Sequence, residues 1–174
     1  MLYDEQESIE ILSRTPTVLC HLLEGLNDNW IRSDEGPNTW SPYEVVGHLI
    51  HGEKTDWIPR VQIILAKSKS KDFEPFDRFA QSQENQNRPI KSLLEEFKEL
   101  RELNLGALKS LNIKEGQLNQ KGIHPEFGEV TLKQLLSTWV VHDLGHISQI
   151  VRVMAKQYTD QVGPWVNYLG ILKR

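Results

Sequence analysis

Three histidines offer the chemistry in this sequence. His142 and His146 stand four residues apart in WVVHDLGHISQIVRVM. On a helix that spacing stacks two side chains one turn apart on the same face. The flanking residues are apolar at helical spacing. At about 100° per residue, His146 falls within the apolar stripe and His142 at its edge. His48, in WSPYEVVGHL, lies beside Val45 and Leu49 of another helical segment and can face the same interior. Neutral imidazoles bind zinc, nickel, copper and iron, and three of them leave positions for water or substrate. A lone pair of histidines at this spacing is commonly just a hydrogen-bonded pair. The third imidazole, on a second helix, turns the pattern toward a metal. The glutamate of the HExxH metalloprotease motif is absent, which argues against that class.

Asp143 also points inward, and a carboxylate in an apolar interior needs a partner. An arginine, a histidine N–H or a network leading to a metal would each serve. Asp143 is therefore the candidate for orienting one of the imidazoles. No residue stands out as a general base. His51 reads as a flank residue and His21 as a local contact, while His124 precedes Pro125 in a connector that could lean over the site. Glu44 reads as a capping residue, and Glu53 and Asp56 as solvated or salt-bridged carboxylates.

Four long segments with helical periodicity must position these groups. The first covers about residues 4–26, with a break near Thr15 and Pro16. The second covers about 42–67. Ser41 caps it, Pro42 occupies the first turn, Glu44 completes a capping box, and Pro59 predicts a kink. The third covers about 90–111 and the fourth runs from Thr131, in capping-box spacing with Gln134, to about residue 158. No segment alternates over enough residues to build a sheet, although a turn is expected at Phe127–Gly128. The pattern predicts an all-α protein, a four-helix bundle, with two long connectors. The connector at 68–89 carries Phe73, Phe76 and Phe79, which could wall the entrance to the site.

A chain of 174 residues suits one domain spanning residues 1–174. The net charge is -4 with both signs interspersed, so there is no basic footprint for nucleic acid. The short KSKSK run at 67–71 reads as a solvated loop. Cys20 is the one cysteine, which excludes an internal disulfide and fits a reducing compartment. Its apolar context makes it a small core residue. The acidic N-terminus lacks the apolar core of a signal peptide, and no apolar run approaches a membrane span. The expected location is cytoplasmic.

Two stretches carry a family resemblance. NTWSPYEVVGHLIHGEKTDW resembles the second-helix signature of the DinB-like (damage-inducible, YfiT-related) superfamily, a tryptophan, a capping Ser-Pro, a glutamate and then a histidine. HPEFGEVTLKQLLSTWVVHDLGHISQIVRVM resembles the later signature, a glycine-containing turn followed by H-x-x-x-H and a glutamine, and PFDRFAQ resembles a segment of some members. The resemblance implies an up-down-down-up four-helix bundle and a divalent metal, zinc or nickel foremost, held by His48, His142 and His146. It implies a small-molecule substrate and a metal-dependent hydrolase or a low-molecular-weight-thiol S-transferase. The alternative is a non-catalytic metal-binding stress-response or sensing bundle. A homodimer is expected, from the family and from the number of aromatics available for an interface.

Overall fold

The computed structural model describes residues 2–77, 85 and 87–173. The first helix is broken into α1 (Glu5–Leu12) and α2 (Thr15–Leu23), and a short α3 (Asp28–Arg32) follows. The second is α4 (Pro42–Thr55) and α5 (Trp57–Leu65), the third α6 (Ile90–Leu111) and the fourth α7 (Leu132–Lys156). Short 3-10 turns occupy Glu115–Asn119, Gly163–Asn167 and Gly170–Lys173. Among the described residues, no helix is long and apolar enough to cross a membrane.

Local chemistry fixes the helix ends. At the start of α4, Glu44 N–H donates to Ser41 Oγ at 3.3 Å, and Ser41 N–H donates to Glu44 Oε2 at 2.9 Å. Thr131 and Gln134 form the same reciprocal box before α7. The break in the second helix falls at Asp56 and not at Pro59 itself. Pro59 crowds the carbonyl four residues back, that of Thr55, and α4 ends there. Pro59 then sits in the first turn of α5, where a missing N–H does no harm.

Side-chain pairs set the helix directions. Arg101 donates to the Leu12 carbonyl and Lys91 meets Glu24, so the first and third helices are antiparallel. Tyr43 donates to the carbonyls of Asn85 and Arg88, just before α6, whereas Glu53 meets Arg101 and Asn104 further along. The second and third helices therefore run parallel. His48 lies against His146, and Glu53 against Trp139, so the fourth is antiparallel to the second. This is an up-down-down-up bundle, in which the long connector after α5 carries the chain back to begin a parallel helix.

The second connector holds a hairpin that the sequence reading did not anticipate. Strands β1 (Lys121–His124) and β2 (Gly128–Thr131) pair antiparallel, Lys121 opposite Thr131 and His124 opposite Gly128. Four residues per strand are too few to display a period of two. The expected turn lies at its tip, where Gly128 adopts φ 70°. The hairpin is tied to the first connector, since Phe73 N–H donates to the Ile123 carbonyl at 2.9 Å and Ile123 N–H to that of Lys71 at 2.8 Å. Gly122 permits this contact; a Cβ there would lie 2.4 Å from the Phe73 ring.

The interior has two apolar clusters. One gathers Leu12, Trp57, Val61, Ile64, Leu108, Leu132 and Trp139, and the other Leu19, Leu23, Val45, Leu49, Leu94, Phe97 and Ile150. On α6, Arg101 falls between Phe97 and Leu105, and on α7 Asp143 falls between Trp139 and Ile150. A buried polar layer thus separates the two clusters.

Candidate metal centre

His48 comes from the middle of α4, and His142 and His146 from the middle of α7. Antiparallel packing brings them together. His142 Nε2 lies 3.1 Å from His48 Nε2 and 3.1 Å from His146 Nε2. All three offered nitrogens are within 4.8 Å of one another. Among the described residues, no fourth histidine, cysteine or carboxylate joins them. Cys20 packs instead against the second apolar cluster.

The hydrogen-bond chemistry of the three rings is informative. His146 Nδ1 lies 2.9 Å from Gln149 Oε1, an acceptor, so Nδ1 carries the proton and Nε2 presents its lone pair inward. An sp2 ring nitrogen holds either a proton or a lone pair. In neutral rings the two 3.1 Å contacts at His142 Nε2 cannot both be hydrogen bonds. A cation at the centre would satisfy all three nitrogens. Ligand nitrogens about 2.0–2.1 Å from a tetrahedral ion lie about 3.3 Å apart, close to the spacing found here. A proton would serve poorly. Burial, followed by the charges of His146, His48 and Arg101, pushes the His142 pKa down to about 2. Burial also lowers that of His146, against the pull of Gln149.

Aromatic rings enclose the cluster. Trp40 lies 4.8 Å from His48 and 6.4 Å from His146 between ring centroids, and the Trp57 and Phe76 rings meet His142 and His48 edge-on. The imidazoles open into a cavity of about 500 Å³, whose far wall holds Asp56, Arg60, His124 and Phe127. Asp56 Oδ1 pairs with Arg60 Nη2 at 2.8 Å. Burial raises the Asp56 carboxyl to about 6 against the opposing charge of Arg60. His124 Nδ1 accepts from Glu126 N–H, which leaves the ring proton on Nε2. His124 stacks on Phe127 with centroids 4.4 Å apart.

Asp143 does not orient an imidazole. Its two oxygens accept from Arg101 at 2.5 and 3.0 Å, because the arginine lies directly opposite on α6. Arg101 also donates to Glu53 Oε1 at 2.8 Å, and Glu53 accepts from Trp139 Nε1 and Asn104. Burial opposes the charge on Arg101, but Asp143 and Glu53 more than offset it and raise its pKa. Of the three connector phenylalanines, Phe76 lines the cavity. Phe73 is buried against Gly122 and Ile64, and Phe79 lies outside the described residues. His51 is buried beside Phe76, away from the nitrogen cluster, and His21 is exposed. Sequence reasoning missed Arg60 and Arg101, and met Gln149 only as the glutamine of the family signature, without a role. That role was detectable, since Gln149 lies one helical turn beyond His146.

A family model, the DinB superfamily, matches residues 11–150. No curated protein matches the sequence. Among solved structures the chain is similar to YfiT from Bacillus subtilis, described as a probable metal-dependent hydrolase with an unusual four-helix bundle topology. The two share 20% identity and a TM-score of 0.73, over 91% of this chain and 87% of that one.

Proposed function

Because the chain belongs to the DinB superfamily, we propose that His48, His142 and His146 hold a divalent metal, zinc or nickel, in a hydrolase acting on a small molecule. The observation that carries this reading is the set of three inward nitrogens with no fourth protein donor among the described residues, open to a cavity. A structural site would be closed by a fourth ligand. That is the argument against a purely structural metal.

When bound, the metal supplies Lewis acidity, lowering the pKa of a coordinating water or thiol and polarising a carbonyl or phosphoryl oxygen. The chain's own residues do the rest. Gln149 fixes the His146 ring so that Nε2 faces the centre. Trp40, Trp57 and Phe76 restrict water around the imidazoles. Asp56 is the proton acceptor. One oxygen is held by Arg60, and the carboxyl is raised to about 6, so it is mostly ionised at pH 7 yet basic enough to take a proton from the nucleophile. Transfer of a low-molecular-weight thiol would use the same open position, with less demand on Asp56.

The test combines metal content with a panel of esters, amides and phosphoesters, each assayed with and without added thiols. Wild type should retain about one metal ion per chain and turn over a panel member. His146→Ala should lose both. Asp56→Asn should keep the metal and lose about 10²–10⁴-fold in hydrolytic rate. Thiol-dependent turnover indifferent to Asp56→Asn would select the transferase. Full activity in metal-free His146→Ala protein would overturn the catalytic metal.

We further propose a homodimer. The exposed apolar residues Ile11, Val141 and Leu144, on adjacent faces of α1 and α7, support it. Light scattering should give twice the chain mass of 20.1 kDa at micromolar concentration, and a monomeric mass would refute it.

A further inference from the structure

A second cavity, of about 210 Å³, lies beside His142. Its walls include Trp57 of α5, Phe73, Val130 of β2 and Leu135 of α7. It shares Asp56, Arg60, His124, Phe127 and His142 with the larger cavity, so the two abut along that line of side chains. The polar groups gather at the junction, and the space beyond is lined mainly by apolar side chains. Gln134 and Thr138 are the polar exceptions in the remaining wall.

We propose that this side chamber is the binding subsite for an uncharged apolar group of the substrate, about the size of one aromatic ring. The substrate would be a small amphipathic molecule whose polar head lies at the three imidazoles, and this rests on the metal reading above. Size sets the first limit. An apolar cavity of about 150 Å³ stays dry and accepts benzene. The chamber therefore has room for one ring or a short branched chain. Charge sets the second. Arg60, the one lysine or arginine among the described residues of the chamber, is buried and already paired with Asp56 at 2.8 Å, so it is not free to meet an anionic tail. Rigidity sets the third. The Trp57 indole is stacked on Trp139 with centroids 5.5 Å apart and planes within 10°. Phe73 is pinned by the close approach of Gly122. The back walls are therefore preformed, which lowers the ordering penalty on binding.

The experiment compares two metal-coordinating probes with the same head, acetohydroxamate and phenylacetohydroxamate, by calorimetry on zinc-loaded protein. The phenyl probe should bind at least tenfold more tightly. Thr138→Phe, at the exposed rim of the chamber, and Val130→Phe, in its wall, should each bring the ratio near one while leaving acetohydroxamate affinity unchanged. Thr138→Phe adds bulk at a solvent-facing helix position, so it keeps the test decisive should Val130→Phe not fold. Equal affinities in the wild type, or a ratio unmoved by Thr138→Phe, would overturn the proposal. A metal-free arm separates it from the reading on which it rests. Benzyl alcohol should shift the Trp57 indole resonance in metal-free wild type and not in Thr138→Phe. If that shift occurs in protein that binds no zinc, the metal reading fails and the chamber stands. If zinc binds but neither the phenyl preference nor the indole shift is seen, the chamber fails and the metal reading stands.

Discussion

Two polar clusters share α4 and α7 and are solved in opposite ways. Arg101, Glu53 and Asp143 are wholly buried, and donors match acceptors throughout the group, with Trp139, Asn104 and the Leu12 carbonyl completing it. The imidazole cluster begins one residue from Asp143, yet it directs three nitrogens at a single point where they cannot all bond to one another. Burial alone therefore does not mark a functional site in this bundle. The saturated cluster holds α1, α4, α6 and α7 in register. The donor-poor cluster, set on that frame, is built for something to arrive.

The sharpest way to break this comparison is Arg101→Met. It leaves Glu53 and Asp143 buried without a counterion, and removing one partner of such a group destabilises by about 3–5 kcal/mol. Denaturant unfolding of the metal-free protein should show this loss. The metal-free His146→Ala protein should unfold at nearly the wild-type midpoint, because the ring it removes completes no saturated network. Comparable losses in both variants would erase the distinction between frame and site.

How much of this was legible beforehand divides along the same line. Helix ends were readable because capping is local: Ser41 with Glu44 and Thr131 with Gln134 announce themselves within four residues. The three histidines were readable because helical spacing and apolar context imply a shared interior. Arg101 was hidden by its charge, which suggests a solvated face. Its position should have overridden that, since it continues the stripe Phe97, Leu105 and Leu108, and the inward Asp143 needed a partner for which an arginine was one candidate. The hairpin was not readable at all. KGIH and GEVT carry almost no period, and the pairing of Phe73 with Ile123 joins segments far apart in the chain. Asp56 was read as a solvated or salt-bridged carboxylate and Arg60 was passed over, because only the fold reveals that they face a cavity shared with the imidazoles.

A finer probe is Gln149→Leu. Gln149 touches the cluster only from outside, through the 2.9 Å contact to His146 Nδ1. Losing it frees the ring to choose the wrong tautomer, and outer partners of this kind are worth about 10–100-fold in metal affinity. Competition against a chromophoric chelator should measure a loss in that range, with the unfolding midpoint of the metal-free protein unchanged. An unaltered affinity would mean that packing against Trp40 alone orients His146.

The smallest effect expected is a pH dependence confined to the metal-free protein. Burial, with His146, His48 and Arg101 adding to it, holds the His142 pKa at about 2, whereas the unfolded chain titrates near 6.5. The sign follows from which state binds the proton. Well above pH 6.5, beyond about pH 7.5, neither state is protonated there and His142 adds no pH dependence. As pH falls through 6.5 the unfolded chain takes up a proton that the folded protein refuses, so folding weakens. From pH 7 to pH 6 the loss from this one group stays below about 1 kcal/mol, and it steepens at lower pH toward the limit of one proton. In the saturated cluster Arg101 stays charged throughout, and burial raises the Glu53 carboxyl, a shift that acts with the opposite sign and is common to wild type and His142→Ala. Unfolding free energies of metal-free wild type and His142→Ala, measured from pH 7 to pH 5, should therefore diverge, with the variant showing the shallower decline. Parallel curves would mean that the imidazole cluster admits a proton as readily as water does, and that its nitrogens are not held donor-poor by the fold.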